Sequence, residues 1–182
     1  GQRLNCSQGY NPKNKLGISV TVMKCRNCNL IFCNPRPIPR NISDHYDVNP
    51  ETYWKEKYFE IDENYFTAEI EKAKTLLNFK PGMKALDIGG GIGKAHIALS
   101  KSGFDCTSIE PSNAFRKLAM TRYDIAAEKL LLCSIEDADL PEQHFDFITF
   151  GAVLEHLHDP SDSIIKAMSW LKDGGVIQIE VP

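Results

Sequence analysis

The sequence predicts an α/β protein with a parallel sheet. From residue 80 onward, apolar runs with strand character alternate with helical segments, a pattern that favours parallel strands joined by right-handed crossovers. One apolar run (Ala85, Leu86, Ile88) leads directly into a glycine-rich turn and then a helix. A second run ends in Glu110, roughly 20 residues further on, where an acid can accept hydrogen bonds from two ribose hydroxyls. Together these features predict a nucleotide-binding unit.

Length and composition limit the class of protein. With 182 residues, the chain has room for one full domain and a small module. Its 42% hydrophobic and 25% charged residues are ordinary values for a globular protein. No apolar run approaches the ~18 residues that a membrane helix requires, and no secretory signal is visible. We therefore expect a cytoplasmic protein with no membrane role.

The formal net charge of −3 hides an uneven distribution. Residues 1–40 carry seven basic and no acidic side chains, a charge of +7, whereas the remainder carries 14 basic and 24 acidic ones, a charge of −10. A basic segment can bind nucleic acid, offset cysteine thiolates or dock on an acidic neighbour. Of these three possibilities, binding to nucleic acid is the one that we do not expect.

The first 33 residues hold four of the six cysteines: Cys6, Cys25, Cys28 and Cys33. Cys25 and Cys28 have the Cys-x-x-Cys spacing with which one tight turn presents two sulfurs to a tetrahedral zinc ion. Cys6 has no cysteine three positions before or after it, so Cys33 is the candidate fourth ligand. The alternatives are a decayed site, ligands removed with residues before Gly1, or redox work by the Cys-x-x-Cys pair.

Residues 35–50 hold four of the ten prolines and no helical periodicity, which predicts a linker. An aromatic-rich segment follows, and its periodicity predicts a helix from about Asn64 to Leu77 that packs on the sheet. One face of this helix carries Phe66, Ile70, Ala73 and Leu77. The aromatic cluster is interpreted either as a lid over a ligand pocket or as plain core.

The later elements follow from caps and periodicity. Gly103 is suited to end the helix that starts at Lys94, Pro111-Ser112 starts the next helix, and Asp159 caps another with Pro160 in its first position. In that last helix we expect Gly174 to mark the end and three side chains to form the buried stripe: Ile164, Met168 and Leu171. The remaining strands are predicted at Cys106–Glu110, Leu130–Cys133, Phe145–Gly151 and Val176–Val181.

The stretch from Asp87 to Gly93 (Asp-Ile-Gly-Gly-Gly-Ile-Gly), followed by Ile-Glu-Pro at 109–111, resembles the S-adenosylmethionine (SAM) site of class I methyltransferases. The stretches at 145–148, 153–160 and 171–175 agree in order and spacing. A dinucleotide dehydrogenase would more usually carry Gly-x-Gly-x-x-Gly, which is absent. The resemblance covers residues 80–182.

This resemblance implies a Rossmann-like sheet of order 3-2-1-4-5 that binds SAM and releases S-adenosylhomocysteine (SAH). The family normally adds an antiparallel hairpin beside strand 5, and nothing after Pro182 forms it. We therefore expect a fragment, C-terminally incomplete, or an edge that a second copy or a partner protein covers.

The resemblance also implies the cofactor-binding residues. Glu110 would take the ribose, and the loop after strand 3 would hold the adenine, with the family's commoner acid replaced by Ser134 or displaced to Glu136. The full set is Asp87, Gly89, Gly90, Gly91, Gly93, Glu110, Pro111, Ser134, Ile135, Glu136 and Gly151.

Two histidines, His156 and His158, follow strand 4 at the carboxyl edge of the sheet, where ligands bind in open α/β folds. Either is a candidate general base, because histidine titrates near neutral pH. A structural hydrogen bond is the alternative for His156. His96 and His144 are expected to be solvated surface groups.

The N-terminal segment resembles the zinc ribbon that precedes the methyltransferase domain in one bacterial subfamily, including its Asn-Pro-Arg-Pro element at 34–37. The implied organisation is a zinc-ribbon-like module at 1–40, a linker and covering helix at 41–79 and a SAM-binding domain at 80–182. The leading function is methyl transfer to an O, N or C nucleophile of a small molecule or a sugar or glycan precursor. The alternatives are SAM binding without catalysis, and a zinc-ribbon module that binds RNA or a protein partner.

Overall fold

The computed structural model describes residues 2–11, 16–35, 49–53 and 55–182. The chain forms two compact units, residues 1–40 and 41–182, and each is described by itself. Within the described residues, no helix is long and apolar enough to cross a membrane.

The first unit is a three-stranded antiparallel sheet of order β1-β2-β3. Its strands are β1 (Gln2–Asn11), β2 (Leu16–Lys24) and β3 (Ile31–Cys33). Cys25 and Cys28 lie in the turn between β2 and β3, which is closed by a 2.8 Å hydrogen bond from Cys25 N–H to Leu30 O. Cys6 lies in β1, where only the backbone is described, and Arg36 and Pro37 of the Asn-Pro-Arg-Pro element lie outside the described residues.

The second unit is built on a five-stranded parallel sheet. Its strands are β4 (Lys84–Ile88), β5 (Asp105–Ile109), β6 (Leu130–Leu131), β7 (Phe145–Gly151) and β8 (Leu171–Glu180). They lie in the order β6-β5-β4-β7-β8, and every pairing is parallel. Counted along this unit, the order is 3-2-1-4-5, so the predicted α/β fold and strand order are confirmed.

Helices cover both faces of this sheet. The helices of this unit are α1 (Pro50–Tyr53), α2 (Thr67–Leu77), α3 (Lys94–Lys101), α4 (Asn113–Tyr123) and α5 (Pro160–Trp170), and the two layers contain α2, α3 and α5. Because side chains alternate along a strand, neighbouring residues of β4 and β7 face opposite layers. One layer joins α2 and α3 to Ala85 and Phe147, whereas the other joins α5 to Leu86 and Ile148. Ile70 and Ala73 of α2 and Phe66 at its N-cap are buried, as the sequence predicts.

Two predicted helix starts are present with their caps. The Ser112 hydroxyl accepts a hydrogen bond from Phe115 N–H (3.3 Å) at the start of α4. Asp159 Oδ1 accepts hydrogen bonds from the N–H groups of Ser161 and Asp162 (both 3.1 Å) at the start of α5. These bonds satisfy backbone donors that the first helical turn leaves without partners.

The predicted buried stripe of α5 is wrong. Met168 is 59% exposed, and the buried residues of the helix are Ser163, Ala167 and Trp170. Ser163 can occupy a buried position because its hydroxyl donates to Asp159 O at 2.9 Å. The prediction considered only large apolar residues, so it placed each position of the buried stripe one residue later along the chain than the structure does.

Three strands have boundaries that differ from the prediction, and β5, predicted at Cys106–Glu110, differs by only one residue at each end. Strand β6 ends at Leu131 rather than Cys133, because Cys133 N–H bonds back to Leu131 O (3.2 Å) and turns the chain away. Strand β8 starts at Leu171, which pairs with Phe145. The next pair joins Phe147 to Val176, so β8 takes up extra residues in an irregular stretch that contains Gly174 at φ +77°. Gly174 therefore lies within this strand instead of ending the helix.

Candidate functional site

The glycine loop, residues Gly89–Gly93, links β4 to α3 at the carboxyl edge of the sheet. Its first residues are fixed on β5, since the N–H groups of Gly89 and Gly90 both donate to Ile109 O at 2.9 and 3.0 Å. Gly89 has φ +71°, and a Cβ there would lie 2.4 Å from Val153 Cγ2. Only glycine therefore fits this turn without displacing a neighbour.

Both carboxylate oxygens of Glu110 accept backbone hydrogen bonds, one of them from this loop. Oε2 accepts a hydrogen bond from Gly91 N–H (2.7 Å), and Oε1 accepts one from Ser112 N–H (2.8 Å). The side chain is only 6% exposed, and burial raises the pKa of its carboxyl although the two N–H donors oppose the rise. The carboxylate is thus held in one orientation, with lone pairs left on each oxygen.

Asp87 lies at the bottom of the same site and is 3% exposed. Burial raises the pKa of its carboxyl from 3.8 to about 7, and the negative charge of Glu110 adds to the rise. A hydrogen bond from the Ser108 hydroxyl (3.3 Å to Oδ2) acts in the opposite direction. Asp87 therefore changes charge close to neutral pH.

An open cavity of about 690 Å³, counting its mouth, lies beside the loop. Asp87 and Gly89–Gly91 form one wall, and the ends of β7 and β8 contribute Thr149, Gly151 and Glu180. A third wall is aromatic. This aromatic wall consists of Tyr58, Tyr65 and Phe66.

The aromatic wall also contains a cation. Lys94 Nζ, at the first position of α3, lies 4.5 Å from the centroid of the Tyr58 ring and 5.8 Å from that of Tyr65. Burial, with the nearby carboxylate of Asp87 next in effect, raises the pKa of Tyr65 to about 12, so this phenol is neutral at neutral pH. Phe66 is 8% exposed and belongs to both the wall and the core, so the two interpretations of the aromatic cluster each hold in part.

The structure brings together only some of the residues that the sequence singles out. Asp87, Gly89, Gly90, Gly91 and Gly151 line the cavity. Glu110 is not among the lining residues and contacts the loop through the N–H group of Gly91. Gly93 occupies the N-cap of α3 at φ +86°.

The residues predicted to hold the adenine have other contacts in this structure. The Ser134 hydroxyl donates to Asp137 Oδ2 at 2.9 Å, and Ile135 is buried in the core beneath α5. Glu136 is exposed, and its backbone oxygen accepts a hydrogen bond from Lys166 Nζ (2.7 Å). Pro111 is half-buried between Glu110 and the Ser112 cap.

The two candidate bases are exposed and do not line the cavity. His156 belongs to the 3-10 helix Leu154–His156, and its Nε2 lies 3.8 Å from Glu155 Oε1. The expectation for His96 is wrong, because this side chain is only 7% exposed. Its Nδ1 lies 2.9 Å from the Ser108 hydroxyl, beneath the glycine loop.

Sequence reasoning missed Ser108, Lys94 and Glu180. A signal for Ser108 was present: it precedes Glu110 by two residues, as Asp87 precedes Gly89, and the register pairs Ser108 with Asp87. Glu180 gave no comparable signal, because its place in the cavity depends on where β8 ends.

In the first unit, Cys25 and Cys28 share one turn. The backbone N–H groups of Cys28 and Asn27 lower the pKa of the Cys25 thiol, which favours the thiolate. Among the described residues, no group of three or more histidine, cysteine or acidic side chains is close enough to hold a metal ion.

The model of a family described as a methyltransferase domain matches residues 58–182. The chain belongs to this family. The predicted resemblance to class I SAM-dependent methyltransferases is thus confirmed at the level of family and fold. The matched region starts at Tyr58 and contains all three walls of the cavity.

Curated relatives match a little over half of the chain. An uncharacterised protein of Mycobacterium tuberculosis is 31% identical over 108 residues, 56% of this chain and 36% of its own length. Phosphoethanolamine N-methyltransferase 1 of Zea mays is 31% identical over 107 residues, 57% of this chain and 21% of that one. The ubiquinone biosynthesis O-methyltransferase of Alkalilimnicola ehrlichii is 27% identical over 99 residues, 52% and 39% respectively. The chain thus spans well under half the length of these relatives.

Solved structures share the fold. The Bacillus subtilis protein YcgJ gives a TM-score of 0.56 at 19% identity, covering 65% of this chain and 50% of that one. The plantazolicin methyltransferase, crystallised with SAH and a monoazolic desmethylPZN analogue, gives 0.54 at 21% identity, covering 64% of this chain and 46% of that one.

Proposed function

We propose that residues 41–182 bind SAM in the cavity beside the glycine loop and form the cofactor-binding part of a methyltransferase. One observation carries the proposal: a buried carboxylate (Asp87), a close-packed glycine loop and a second oriented carboxylate (Glu110) meet at one edge of the sheet. Methyltransferase relatives and the SAH-bound structure of a protein with this fold support it.

In this proposal each group has a defined task. Glu110 would accept hydrogen bonds from the ribose hydroxyls, the glycine loop would let the ligand approach bare backbone, and Asp87 would face the ammonium-bearing end. Pro111, Ser134, Ile135 and Glu136 would enclose the adenine. When bound, SAM supplies an activated methyl group on a positively charged sulfur.

The protein's contribution to methyl transfer is placement. Holding a nucleophile in line with the methyl–sulfur bond contributes on the order of 7 kcal/mol or more. Tyr58 and Tyr65 would help to exclude water, and His156 or His158 would take a proton from an oxygen or nitrogen nucleophile. We propose an O, N or C nucleophile of a small molecule or of a sugar or glycan precursor as acceptor. Relatives named for phosphoethanolamine and for ubiquinone biosynthesis support the small-molecule class.

Ligand-induced stabilisation tests the cofactor. SAH at 100 times its dissociation constant should stabilise the folded protein by about 2.7 kcal/mol, and the expected result is a raised melting temperature with SAH and SAM but not with NAD. A shift with NAD alone would instead assign the cavity to dinucleotides.

Catalysis is tested separately from binding. Radiolabelled SAM is incubated with panels of small-molecule and glycan-precursor acceptors, and with RNA as the disfavoured class. Turnover of one acceptor supports the enzyme, whereas SAH binding without turnover of any acceptor supports the alternative of a SAM-binding protein without catalysis. Comparing His156→Ala and His158→Ala with His144→Ala in this assay identifies a base.

We also propose that the first unit binds zinc through Cys25 and Cys28, with Cys6 and Cys33 as the further candidate ligands. The thiolate-favouring turn of Cys25 supports this second function. Zinc analysis of protein purified without chelator should give about one ion per chain. Replacing Cys25 and Cys28 with serine should abolish it, whereas Cys133→Ser should not.

A protein partner is proposed for the outer edge of β8. Among the described strands β8 pairs only with β7, and Ile179 and Val181 near its end are 41% and 52% exposed. Strand edges of this kind attract another chain. Light scattering would detect a homodimer, and a Lys substitution at Ile179 should disrupt it.

A further inference from the structure

Three polar side chains form a buried chain beneath the glycine loop. Asp87 on β4, Ser108 on β5 and His96 on α3 are 3%, 0% and 7% exposed. The Ser108 hydroxyl donates to Asp87 Oδ2 (3.3 Å) and lies 2.9 Å from His96 Nδ1. We refer to these three residues as the relay.

The protons of the relay can be placed in two ways. A serine hydroxyl has one proton to donate. If that proton goes to an ionised Asp87, Ser108 must accept from a protonated His96 Nδ1. If Asp87 is itself protonated and donates to Ser108, the hydroxyl is free to turn towards an unprotonated Nδ1. The charge of Asp87 and the tautomer of His96 are therefore linked.

Charged and titratable groups surround both ends of the relay. Glu110, Tyr58, Tyr65 and Cys106 interact electrostatically with Asp87. At the other end, burial and then the Lys129 charge lower the pKa of His96, and Asp105 opposes them. Asp105 is in turn paired with Lys84 and Lys129.

Within the relay itself, the charge of one group changes near neutral pH. Burial raises the pKa values of both tyrosines and of the Cys106 thiol, so these groups are neutral there. His96 is neutral as well, with one ring proton to place. The charge of Asp87 is the one that the relay can set.

We propose that His96 and Ser108 are positioning residues that hold Asp87 as an oriented, ionised carboxylate on the cavity wall for a cationic group of the ligand. This inference rests on the proposed function, because it takes the ligand to be SAM or SAH, both of which carry an ammonium group. The relay acts through Asp87 and does not touch the reacting atoms. Burial by itself would give His96 and Ser108 a packing role, and the proposal adds a role in setting the charge and orientation of Asp87.

Affinity for SAH at two pH values tests the relay. Ser108→Ala removes the hydroxyl without adding volume, and a one-unit rise in the Asp87 pKa is expected. If only the ionised form binds, the variant should bind SAH about tenfold more weakly than the unaltered protein at pH 6 and almost equally at pH 9. SAH itself titrates identically with both proteins. The ratio of their dissociation constants for SAH therefore reflects a change in the protein alone.

His96 provides a matched pair of variants. His96→Asn keeps a donor near the Nδ1 position and should retain the original pH profile, whereas His96→Leu removes the donor and should behave as Ser108→Ala does. This pair carries the test if Ser108→Ala does not fold. Equal losses at pH 6 and pH 9 in both Ser108→Ala and His96→Leu would reduce the relay to a packing role and overturn the proposal.

A ligand-free measurement separates the relay from the proposed function. The ¹³C chemical shift of the Asp87 carboxyl, followed against pH, should show a higher midpoint in Ser108→Ala than in the unaltered protein. If the unaltered protein binds no SAH at either pH, the proposed function fails, and this titration alone decides the relay. An unchanged midpoint overturns the relay even where SAH binds.

Discussion

The wall formed by Asp87 and the glycine loop differs from the aromatic wall in how its atoms are held. In the first, backbone N–H groups and buried carboxylates bond to one another, and Gly89 has no room for a side chain. In the second, the long side chain of Lys94 contacts the ring faces of Tyr58 and Tyr65. Backbone geometry thus preorganises one side of the cavity, whereas replaceable side chains make up the other. A ligand common to a family suits the first, and an acceptor that varies suits the second.

The largest expected effect is the pH-dependent stability of Asp87→Asn. The folded-state pKa of Asp87 lies above its ordinary value, 3.8 raised to about 7. Between these values the folded protein keeps a proton that the unfolded chain has released, so its free energy of unfolding falls as the pH rises. Asn carries no charge that burial could penalise. The free energy of unfolding of the variant, measured relative to that of the unaltered protein, should therefore be up to about 4 kcal/mol higher above pH 7 than at pH 4.

Urea denaturation at pH 4, 5.5, 7 and 8 measures this difference, with the exposed Asp139→Asn as control. If the difference in the free energy of unfolding between the variant and the unaltered protein stays constant from pH 4 to pH 8, burial does not raise the pKa of Asp87. The same variant should bind SAH more weakly, since it lacks the charge.

A smaller effect is expected from Gly89→Ala compared with Gly82→Ala. Both glycines have positive φ, +71° and +85°, but a Cβ at Gly82 meets nothing within 4 Å, whereas one at Gly89 meets Val153 at 2.4 Å. The backbone conformation alone should cost about 1–2 kcal/mol in each variant. The clash should add about 1–3 kcal/mol at Gly89 only. Chemical denaturation of both variants gives the difference, and equal losses would show that the loop has room to move.

The sequence was most informative where one local rule governs an element. The Gly-rich turn, the helix starts at Ser112 and Asp159 and strand Phe145–Gly151 follow from backbone chemistry or from a continuous apolar run, and all four occur as expected. It was less informative where a partner elsewhere in the fold decides. His96 is a buried residue because Ser108 offers a hydrogen bond. Ser163 is buried in place of Met168 because its hydroxyl bonds within its own helix.

The site shows the same division. Asp87, the loop glycines and Gly151 line the cavity because the turn and the strand ends place them there. Tyr58 and Glu180 reach it from segments whose positions depend on tertiary packing, which no local pattern encodes. The contacts of Ser134 with Asp137, by contrast, join residues three positions apart, and the Ser-x-x-Asp spacing was a local signal for them.

The smallest expected effect is on the aromatic wall. Lys94→Ala removes the contact of the ammonium with the Tyr58 ring and should lower the free energy of unfolding by about 0.5–1 kcal/mol. Lys101→Ala, at the exposed end of the same helix, should change it by less than about 0.5 kcal/mol. Thermal denaturation of the pair compares them. A loss above about 2 kcal/mol for Lys94→Ala would show that this wall is as rigidly built as the other.

Calorimetric titration of SAH into Glu110→Ala tests the central claim most directly. Removing a charged hydrogen-bond acceptor from the ligand's ribose should weaken binding by about 1.5–3 kcal/mol, roughly 10- to 150-fold. The exposed Glu142→Ala serves as the matched control and should bind SAH as the unaltered protein does. Undiminished binding by a folded Glu110→Ala protein would contradict the account, because the ligand would then lie elsewhere than beside the glycine loop.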